Sequence, residues 1–278
     1  MYDAGKTQEF YDAYAGFEWA RLGETAYGRL QAIIHADVLE RHVQSGDRVL
    51  DVGCGPGRFS MTMARQGATP TLLDISRGQL QIAGEKLAEA DLTRQTDGLV
   101  QADVSKLPVG PDQQFDVVVA FGGALSYVCE QRRAAALELM RVTRPGGILL
   151  VSVMSRLGTV QNIVRRPALP VLKDPDAWHL WSVLRDGALP PFPSRIEGMQ
   201  HPAMHLFTAA ELQETFAGCD ILEMAGSNVS TYEGSTTFEE LAEDEAVWNT
   251  AVELERELCR ESGLVDTGSH IIMAARKR

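Results

Sequence analysis

The sequence predicts an α/β protein built on a doubly wound, seven-stranded, mostly parallel sheet. Three observations carry that expectation: apolar strands alternate with helix-patterned segments from residue 45 onward, a glycine-rich loop follows the first strand, and acids stand at the ends of the next two. A chain of 278 residues with 45% hydrophobic content can enclose such a sheet between helices and still carry insertions.

The first 44 residues precede the first strand and carry Phe10, Tyr11, Tyr14, Phe17, Trp19 and Tyr27, more aromatics than a helix layer requires. They read as a helical arm, with packing on the sheet edge as the plainer alternative. Val49 to Val52 then form an apolar strand running into Gly53-Cys54-Gly55-Pro56-Gly57. Three glycines at alternate positions remove three Cβ atoms and permit positive φ, so the chain can turn off the strand and lay bare backbone against a ligand. Residues 58 to 66 read as the helix whose N-terminus faces that ligand. A dinucleotide loop, G-x-G-x-x-G, would place its third glycine where this chain has Arg58. A triphosphate loop needs Gly-Lys-Ser/Thr after the glycines, and none follows.

Thr71 to Asp74 is a second strand, ending in an acid about twenty residues past the glycines, where doubly wound folds keep the carboxylate that grips ribose hydroxyls. Ser76 and Gln79 form a capping box, and Leu80, Ala83 and Leu87 follow at helical spacing. Leu99 to Asp103 is a third strand with an acid at its carboxyl end. Asp74 and Asp103 are also in position to serve simply as N-caps. Phe115 to Phe121 is too apolar for a solvated face, so it is buried on both sides, and Gly122-Gly123-Ala124 ends it. Arg144-Pro145-Gly146-Gly147 makes a turn before the strand Ile148 to Val153.

Residues 154–205 interrupt the alternation. This stretch holds seven of the twelve prolines, with Trp178, Trp181, His179, His201 and His205, and its place after the fifth strand puts a cap over the carboxyl edge of the sheet. Each histidine reads first as a packing or surface residue. His201 and His205 stand four apart, but no carboxylate pairing sharpens them into a metal site, so no metal is expected. Thr208 and Glu211 open a short helix to Phe216, Asp220 to Ala225 is the sixth strand, Val247, Ala251, Leu254 and Leu258 stripe a helix, and Ser269 to Ala275 is the last strand. With no repeat or linker, residues 1–278 form one domain: a helical lid over 1–44, a ligand-binding half over 45–153, the cap over 154–205, and helices and strands completing the sheet over 206–278.

With Asp51 to Gly57, Asp74, Asp103, the Gly122 turn and the Arg144 to Gly147 turn at these spacings, the chain resembles the class I S-adenosylmethionine-dependent methyltransferases, a Rossmann-like superfamily, over roughly residues 45–153. The resemblance implies S-adenosyl-L-methionine as cofactor. It implies that Asp103 meets the exocyclic amine of adenine, that Asp51 reaches the cofactor's amino group directly or through water, and that Phe121 and Gly122 lie beside its methionine half. Gly53, Cys54, Gly55, Gly57, Ile75 and Val104 complete the wall, Tyr14 and Arg29 are candidates from the arm, together with Tyr11, and the last strand is inserted antiparallel. A buried carboxylate at Asp51 also fits a structural salt bridge. The cofactor is a sulfonium and an ammonium, which favours carboxylates around it, and the loop supplies no lysine.

Methyl transfer is an in-line displacement, so the protein must mainly align and desolvate, and a base is needed only where the acceptor has a proton to lose. A small-molecule acceptor is the first expectation. The segments Glu253 to Glu261 and Gly268 to Lys277 faintly resemble bacterial enzymes that esterify a carboxymethylated wobble uridine, which makes tRNA an alternative; a cofactor-binding regulatory protein without catalysis is another. The net charge of −12 opposes a broad polyanion surface, with Arg165, Arg166 and Lys173 as one local basic candidate. Gly122 to Tyr127 lacks the Asn/Asp-Pro-Pro-Tyr pattern of amino-methylating nucleic-acid enzymes, while Tyr127 is a candidate to orient an acceptor, with core packing as the plainer alternative. No apolar run approaches the roughly 18 residues of a membrane span, and no basic-then-apolar leader opens the chain. Four scattered cysteines suggest neither zinc nor disulfides. A cytoplasmic monomer or homodimer is expected.

Overall fold

The computed structural model describes residues 1–110, 114–165, 173–174 and 179–278. Arg166 and Trp178, singled out above, lie outside the described residues. The helices α1 (Ala4–Arg21) and α2 (Ala26–His42) precede β1 (Arg48–Val52), α3 (Arg58–Arg65), β2 (Thr69–Asp74), α4 (Arg77–Glu89), β3 (Gly98–Gln101), β4 (Phe115–Ala120), α5 (Ala124–Tyr127), α6 (Arg132–Val142) and β5 (Thr143–Met154). The next segment carries α7 (Arg156–Arg165), α8 (Leu180–Asp186) and four two-residue strands, β6 (Ala188–Leu189), β7 (Phe192–Pro193), β8 (Gln200–His201) and β9 (Met204–His205). Last come α9 (Ala209–Thr215), β10 (Cys219–Ser227), α10 (Thr236–Leu241), α11 (Glu245–Leu258) and β11 (His270–Lys277).

Seven strands form one sheet in the order β10-β11-β5-β4-β1-β2-β3. All pairings from β3 to β5 are parallel, and β11 runs antiparallel between β5 and β10. From β1 the chain winds outward to β2 and β3, then returns to β4 and winds the other way, so the strand order reverses between β1 and β4. Such a reversal opens a crevice at the carboxyl ends, because successive connections leave it on opposite sides.

The alternation of β4 explains its apolar run from Val117 to Ala120. Val118 and Ala120 join one core with Leu50, Val52, Leu149 and Val151, while Val117 and Val119 join the other with Val49, Ile34, Val38 and Leu150. Both faces are covered there, so these side chains are selected for apolar volume, while Asp116 near the strand's start accepts from the Arg48 amide and pairs with Arg144.

Three local expectations differ from the structure. The Pro-Gly-Gly turn lies inside β5: Phe115 pairs with Thr143 and Val117 with Ile148, so residues 144–147 bulge out between two paired residues. The third strand ends at Gln101, leaving Asp103 in the loop beyond it. The stripe on α11 is only partly covered: Val247 and Leu254 are exposed and Ala251 and Leu258 half-buried, whereas Val252 and Glu255 are buried. Glu255 turns inward because it accepts from the Val229 and Ser230 amides at 2.8 and 2.9 Å, which fixes the loop after β10.

Candidate cofactor site

The glycine loop leaves β1 at the reversal point. Gly53, Gly55 and Gly57 have φ of +71°, +53° and +80°. A Cβ on Gly53 would lie 2.9 Å from Cβ of Ala124, and one on Gly57 would lie 3.1 Å from Cβ of Ala83, so these two glycines are required by packing. Gly55 differs. A Cβ there would meet only Gln79 Oε1 and Glu18 Cγ, both at 3.9 Å, so its bare face opens toward the crevice.

The loop is tied to the tip of β2. The amides of Gly53 and Cys54 both donate to the Leu73 carbonyl at 2.7 and 3.1 Å, and the Gly55 amide donates to Oδ2 of Asp74 at 2.8 Å. Oδ1 of Asp74 accepts from the Ser76 amide at 2.8 Å. Each carboxylate oxygen thus has one protein partner and keeps a further lone pair for a ligand hydroxyl. Asp74 is buried, and desolvation raises its carboxyl to about 6. Asp51 is deeper still: its Oδ2 accepts from the Ser60 hydroxyl at 2.5 Å, no cation among the described residues pairs with it, and burial raises it to about 7. The salt-bridge alternative for Asp51 therefore has no partner among the described residues. Cys54 is buried beside these acids, its thiol held well above the ordinary range by desolvation. Ile75 follows Asp74 directly, and its carbonyl accepts from Gln101 Nε2 at 3.1 Å.

On the far side, Asp103 accepts from the Ser105 amide through Oδ1 at 2.8 Å and from the Tyr2 hydroxyl through Oδ2 at 2.7 Å, with Val104 buried behind it. Phe121 packs edge-on against His35 and Phe59, with ring centroids 5.0 and 5.4 Å away. The turn at Gly122 has a buried scaffold. Its amide donates to Ser152 Oγ at 2.8 Å, which leaves the serine proton for His35 Nε2 at 3.2 Å, while His35 Nδ1 donates to the Gln31 carbonyl at 2.8 Å. Desolvation lowers His35 to about 4, so the ring is neutral and this tautomer is fixed.

The arm closes over this edge. Asp12 on α1 accepts from the Ser76 hydroxyl at 2.6 Å and the Gly78 amide at 2.8 Å, so a residue of the arm supplements the N-cap of α4. Tyr14 stacks on Phe10, centroids 5.4 Å apart, and Tyr11 meets Tyr127 edge to face at 5.4 Å. Gln79 Nε2 donates to the Tyr11 carbonyl at 3.4 Å, but its buried Oε1 has no partner and points toward Gly55. Arg29 is placed elsewhere: it is exposed, and its guanidinium lies 4.7 Å from the centroid of the Trp248 ring. Residues 1–44 thus contribute Tyr2, Asp12, Tyr11 and Glu18 to this edge. None of the four hydrogen bonds Tyr2–Asp103, Asp12–Ser76, Asp12–Gly78 and Gln79–Tyr11 has a local sequence signal, because each joins residues at least 64 positions apart.

The cap histidines separate. His179 has φ of +53° and precedes α8, where its carbonyl accepts from Ser182 Oγ at 3.0 Å. His205 is buried and pairs with Glu211 at 2.6 Å, in a cluster where Arg132 and Arg156 reach the same carboxylate at 3.2 and 3.0 Å. Only His201 stands among the aromatic rings beside the crevice. No group of three or more metal-ligating side chains occurs among the described residues.

Residues 49–147 match a family model described as a methyltransferase domain. Those residues carry a methyltransferase domain. The chain is 32% identical over 137 residues to a malonyl-[acyl-carrier protein] O-methyltransferase of Serratia marcescens, covering 48% of this chain and 49% of that one. It is 34% identical over 111 residues to a demethylmenaquinone methyltransferase of Clavibacter sepedonicus, covering 40% of this chain and 42% of that one. The chain therefore spans about half the length, or less, of these curated relatives. The fold is also that of the magnesium protoporphyrin IX methyltransferase from Synechocystis PCC 6803 with bound SAH, with a TM-score of 0.60, 16% identity, and 99% of each chain covered.

The methyltransferase domain fits the family's cofactor on its own geometry. Gly55 offers backbone without a side chain, Gln79 offers an unpartnered buried acceptor, and Asp51, Asp74 and Asp103 supply negative charge for a cationic ligand.

Proposed function

We propose that this chain transfers the methyl group of S-adenosylmethionine to a small-molecule acceptor by in-line displacement. The observation that carries the reading is the glycine loop at the sheet's reversal point, flanked by Asp74 at the tip of β2 and Asp103 in the loop after β3. When bound, the cofactor supplies an activated methyl group with a thioether as leaving group.

The protein's own contribution is placement. Asp74 takes the ribose hydroxyls with its free lone pairs while the Gly55 and Ser76 amides hold it still. Asp103, held by Tyr2 and Ser105, takes the adenine amine. Asp51 accepts from the cofactor's ammonium, directly or through water. Gly53, Cys54, Gly57, Ile75, Val104, Phe121 and Gly122 form the wall, and Tyr14 belongs to the arm that excludes water. Arg29, stacked on Trp248, is left out of this set.

The net charge of −12 favours a small acceptor over tRNA, since a polyanion would have to approach against the chain's own field. All four cysteines are free thiols, as a reducing cytoplasm would keep them, and no helix among the described residues is long and apolar enough to cross a membrane. Calorimetry with S-adenosylmethionine, S-adenosylhomocysteine and NAD tests the site: the first two bind, and binding of NAD alone overturns the assignment. Transfer of labelled methyl to a small-molecule cell extract tests catalysis and names the acceptor, and absence of any labelled product while the cofactor binds leaves the non-catalytic reading in its place.

A further inference from the structure

His201 sits on β8 in the cap, walled by rings from three other elements. Its imidazole stacks on Phe192 with centroids 4.5 Å apart, meets Phe10 edge-on at 5.0 Å, and faces Tyr127 at 5.7 Å. The hydrogen bonds fix its tautomer. Nδ1 lies 3.0 Å from the Pro202 carbonyl, which can only accept, so Nδ1 carries the proton. Nε2 is then a lone pair, with the Tyr127 hydroxyl 3.4 Å away as its one hydrogen-bonding neighbour among the described residues. That contact is long for an O–H···N bond, so it is weak and easily exchanged.

Tyr127 locates the pair relative to the sheet. It ends α5, whose N-cap is Gly123, and a Cβ on Gly123 would lie 3.5 Å from the Tyr127 ring and 3.4 Å from Met154, the last residue of β5. The lone pair therefore stands over the carboxyl ends of β4 and β5, next to the turn at Gly122 that borders the cofactor crevice. The other histidines nearby are committed: His35 to Ser152 and Gln31, His270 to Gln31 and Ser269.

We infer that His201 Nε2 is the general base of methyl transfer, accepting the proton of a hydroxyl on an acceptor with an apolar body. The inference rests on the proposed methyl transfer and adds the acceptor's chemical class. The acceptor hydroxyl takes the place now held loosely by Tyr127. Its oxygen forms the bond to the methyl carbon, the sulfur keeps the electron pair of the carbon–sulfur bond and becomes a neutral thioether, and the hydroxyl proton passes to Nε2. The resulting imidazolium keeps its Nδ1–H on Pro202 and releases the other proton to solvent. A carboxylate acceptor, ionised at neutral pH, would not need such a group, whereas a hydroxyl does. Burial lowers His201 below the ordinary histidine value, with Glu18 on α1 opposing, so the lone pair is free at pH 7. Tyr11, Tyr14 and Tyr127, all raised by burial, remain neutral phenols around it.

Two measurements decide the matter. The first needs no acceptor: nitrogen-15 NMR of the histidine rings in the protein alone, with His201→Gln to assign the signal. A neutral ring protonated at Nδ1 from pH 6 to 8, shifting when Tyr127→Phe removes its neighbour, supports the base. A ring protonated at Nε2, or charged at pH 7, overturns it. The second is labelled-methyl transfer into a small-molecule extract, with cofactor affinity measured in parallel. His201→Gln should bind S-adenosylmethionine as the wild type does, lose at least about a hundredfold in transfer at pH 7, and recover part of it above pH 9, where hydroxide and ionised acceptor replace the base. Transfer by His201→Gln at the wild-type rate across pH 6 to 9, or a labelled product methylated at carboxylate oxygen, overturns the inference. If the wild type binds cofactor and labels nothing, the proposed activity fails, and the NMR result still judges the ring.

Discussion

The hydroxyl of Tyr2 donates to Oδ2 of Asp103 at 2.7 Å across 101 positions of sequence. The second residue of the chain thus holds one oxygen of the carboxylate assigned to the adenine amine, while the Ser105 amide holds the other. Burial and the neighbouring carboxylate push the Tyr2 phenol well above its ordinary value, so it remains a donor at any working pH.

Removing that donor should loosen the base-recognition end of the site without unfolding the domain. A hydrogen bond to a charged acceptor contributes about 1.5–3 kcal/mol, and half-burial places this one toward the lower figure. Tyr2→Phe is expected to weaken S-adenosylmethionine by roughly tenfold in calorimetry, with the ring's packing preserved. An affinity equal to that of the wild type would show that Tyr2 does not position Asp103.

The three loop glycines should separate by mutation. Alanine at Gly57 meets Ala83 at 3.1 Å and Leu72 at 3.2 Å, in addition to a φ of +80°. Alanine at Gly55 has open space around it and only the left-handed backbone to resist, a cost of about 1–2 kcal/mol. Gly57→Ala is expected to lower the denaturation midpoint clearly more than Gly55→Ala, whereas Gly55→Ala should lose most of its cofactor affinity while remaining folded. A Gly55→Ala protein that binds the cofactor normally would mean the ligand does not lie against that backbone.

The sheet was legible because its determinants are local. An apolar run such as Phe115 to Ala120 can satisfy its residues only between two covered faces, and the G-x-G-x-G spacing after β1 encodes a backbone path in the glycines themselves. The acid at 74 was legible for the same reason, since a strand's end fixes where its last side chain stands, whereas Asp103 lies in the loop beyond Gln101 and is held there by Ser105 and Tyr2. The arm was not. Asp12 against Ser76, Glu18 beside Gly55 and Tyr2 against Asp103 depend on where a helix docks, which no periodicity in residues 1–44 specifies. Arg29 shows the same limit from the other side, for its helix turns it outward onto Trp248. On α11 the apolar stripe misled because Glu255, buried to cap the backbone at Val229 and Ser230, sets the rotation of the helix.

Folding stability should respond to acid through two opposed sets of groups. His35 falls to about 4 in the fold and His270 is also lowered, both by burial, so the unfolded chain binds their protons first and stability is lost as pH drops below about 6.5. Asp51 and Asp74 are raised to about 7 and about 6, so the folded chain binds their protons first and stability is gained over the same window. The two sets largely cancel in the wild type. Asp51→Asn removes one compensating proton, and its denaturant-derived stability should fall by about 2 kcal/mol more than the wild type's between pH 7 and pH 5. Parallel curves for the two proteins would place the Asp51 carboxyl near its ordinary value.

The same raised carboxyls make cofactor affinity pH-dependent close to neutrality, where an ordinary carboxylate would already be ionised. Asp74 must be ionised to accept from both ribose hydroxyls, and Asp51 to accept from an ammonium, yet without ligand they hold protons up to about 6 and about 7. Below those values binding must expel a proton, which costs a factor of about ten per pH unit for each group. Calorimetric affinity for S-adenosylmethionine should be flat above pH 8 and fall by at least about tenfold by pH 5, with proton release rising in step. Asp74→Ala should bind at least about tenfold more weakly at pH 8, because the Gly55 and Ser76 amides lose their acceptor as well as the ribose losing its ligand, with the gap narrowing below pH 6. Affinity independent of pH from 5 to 8 would mean that neither carboxylate changes its protonation on binding.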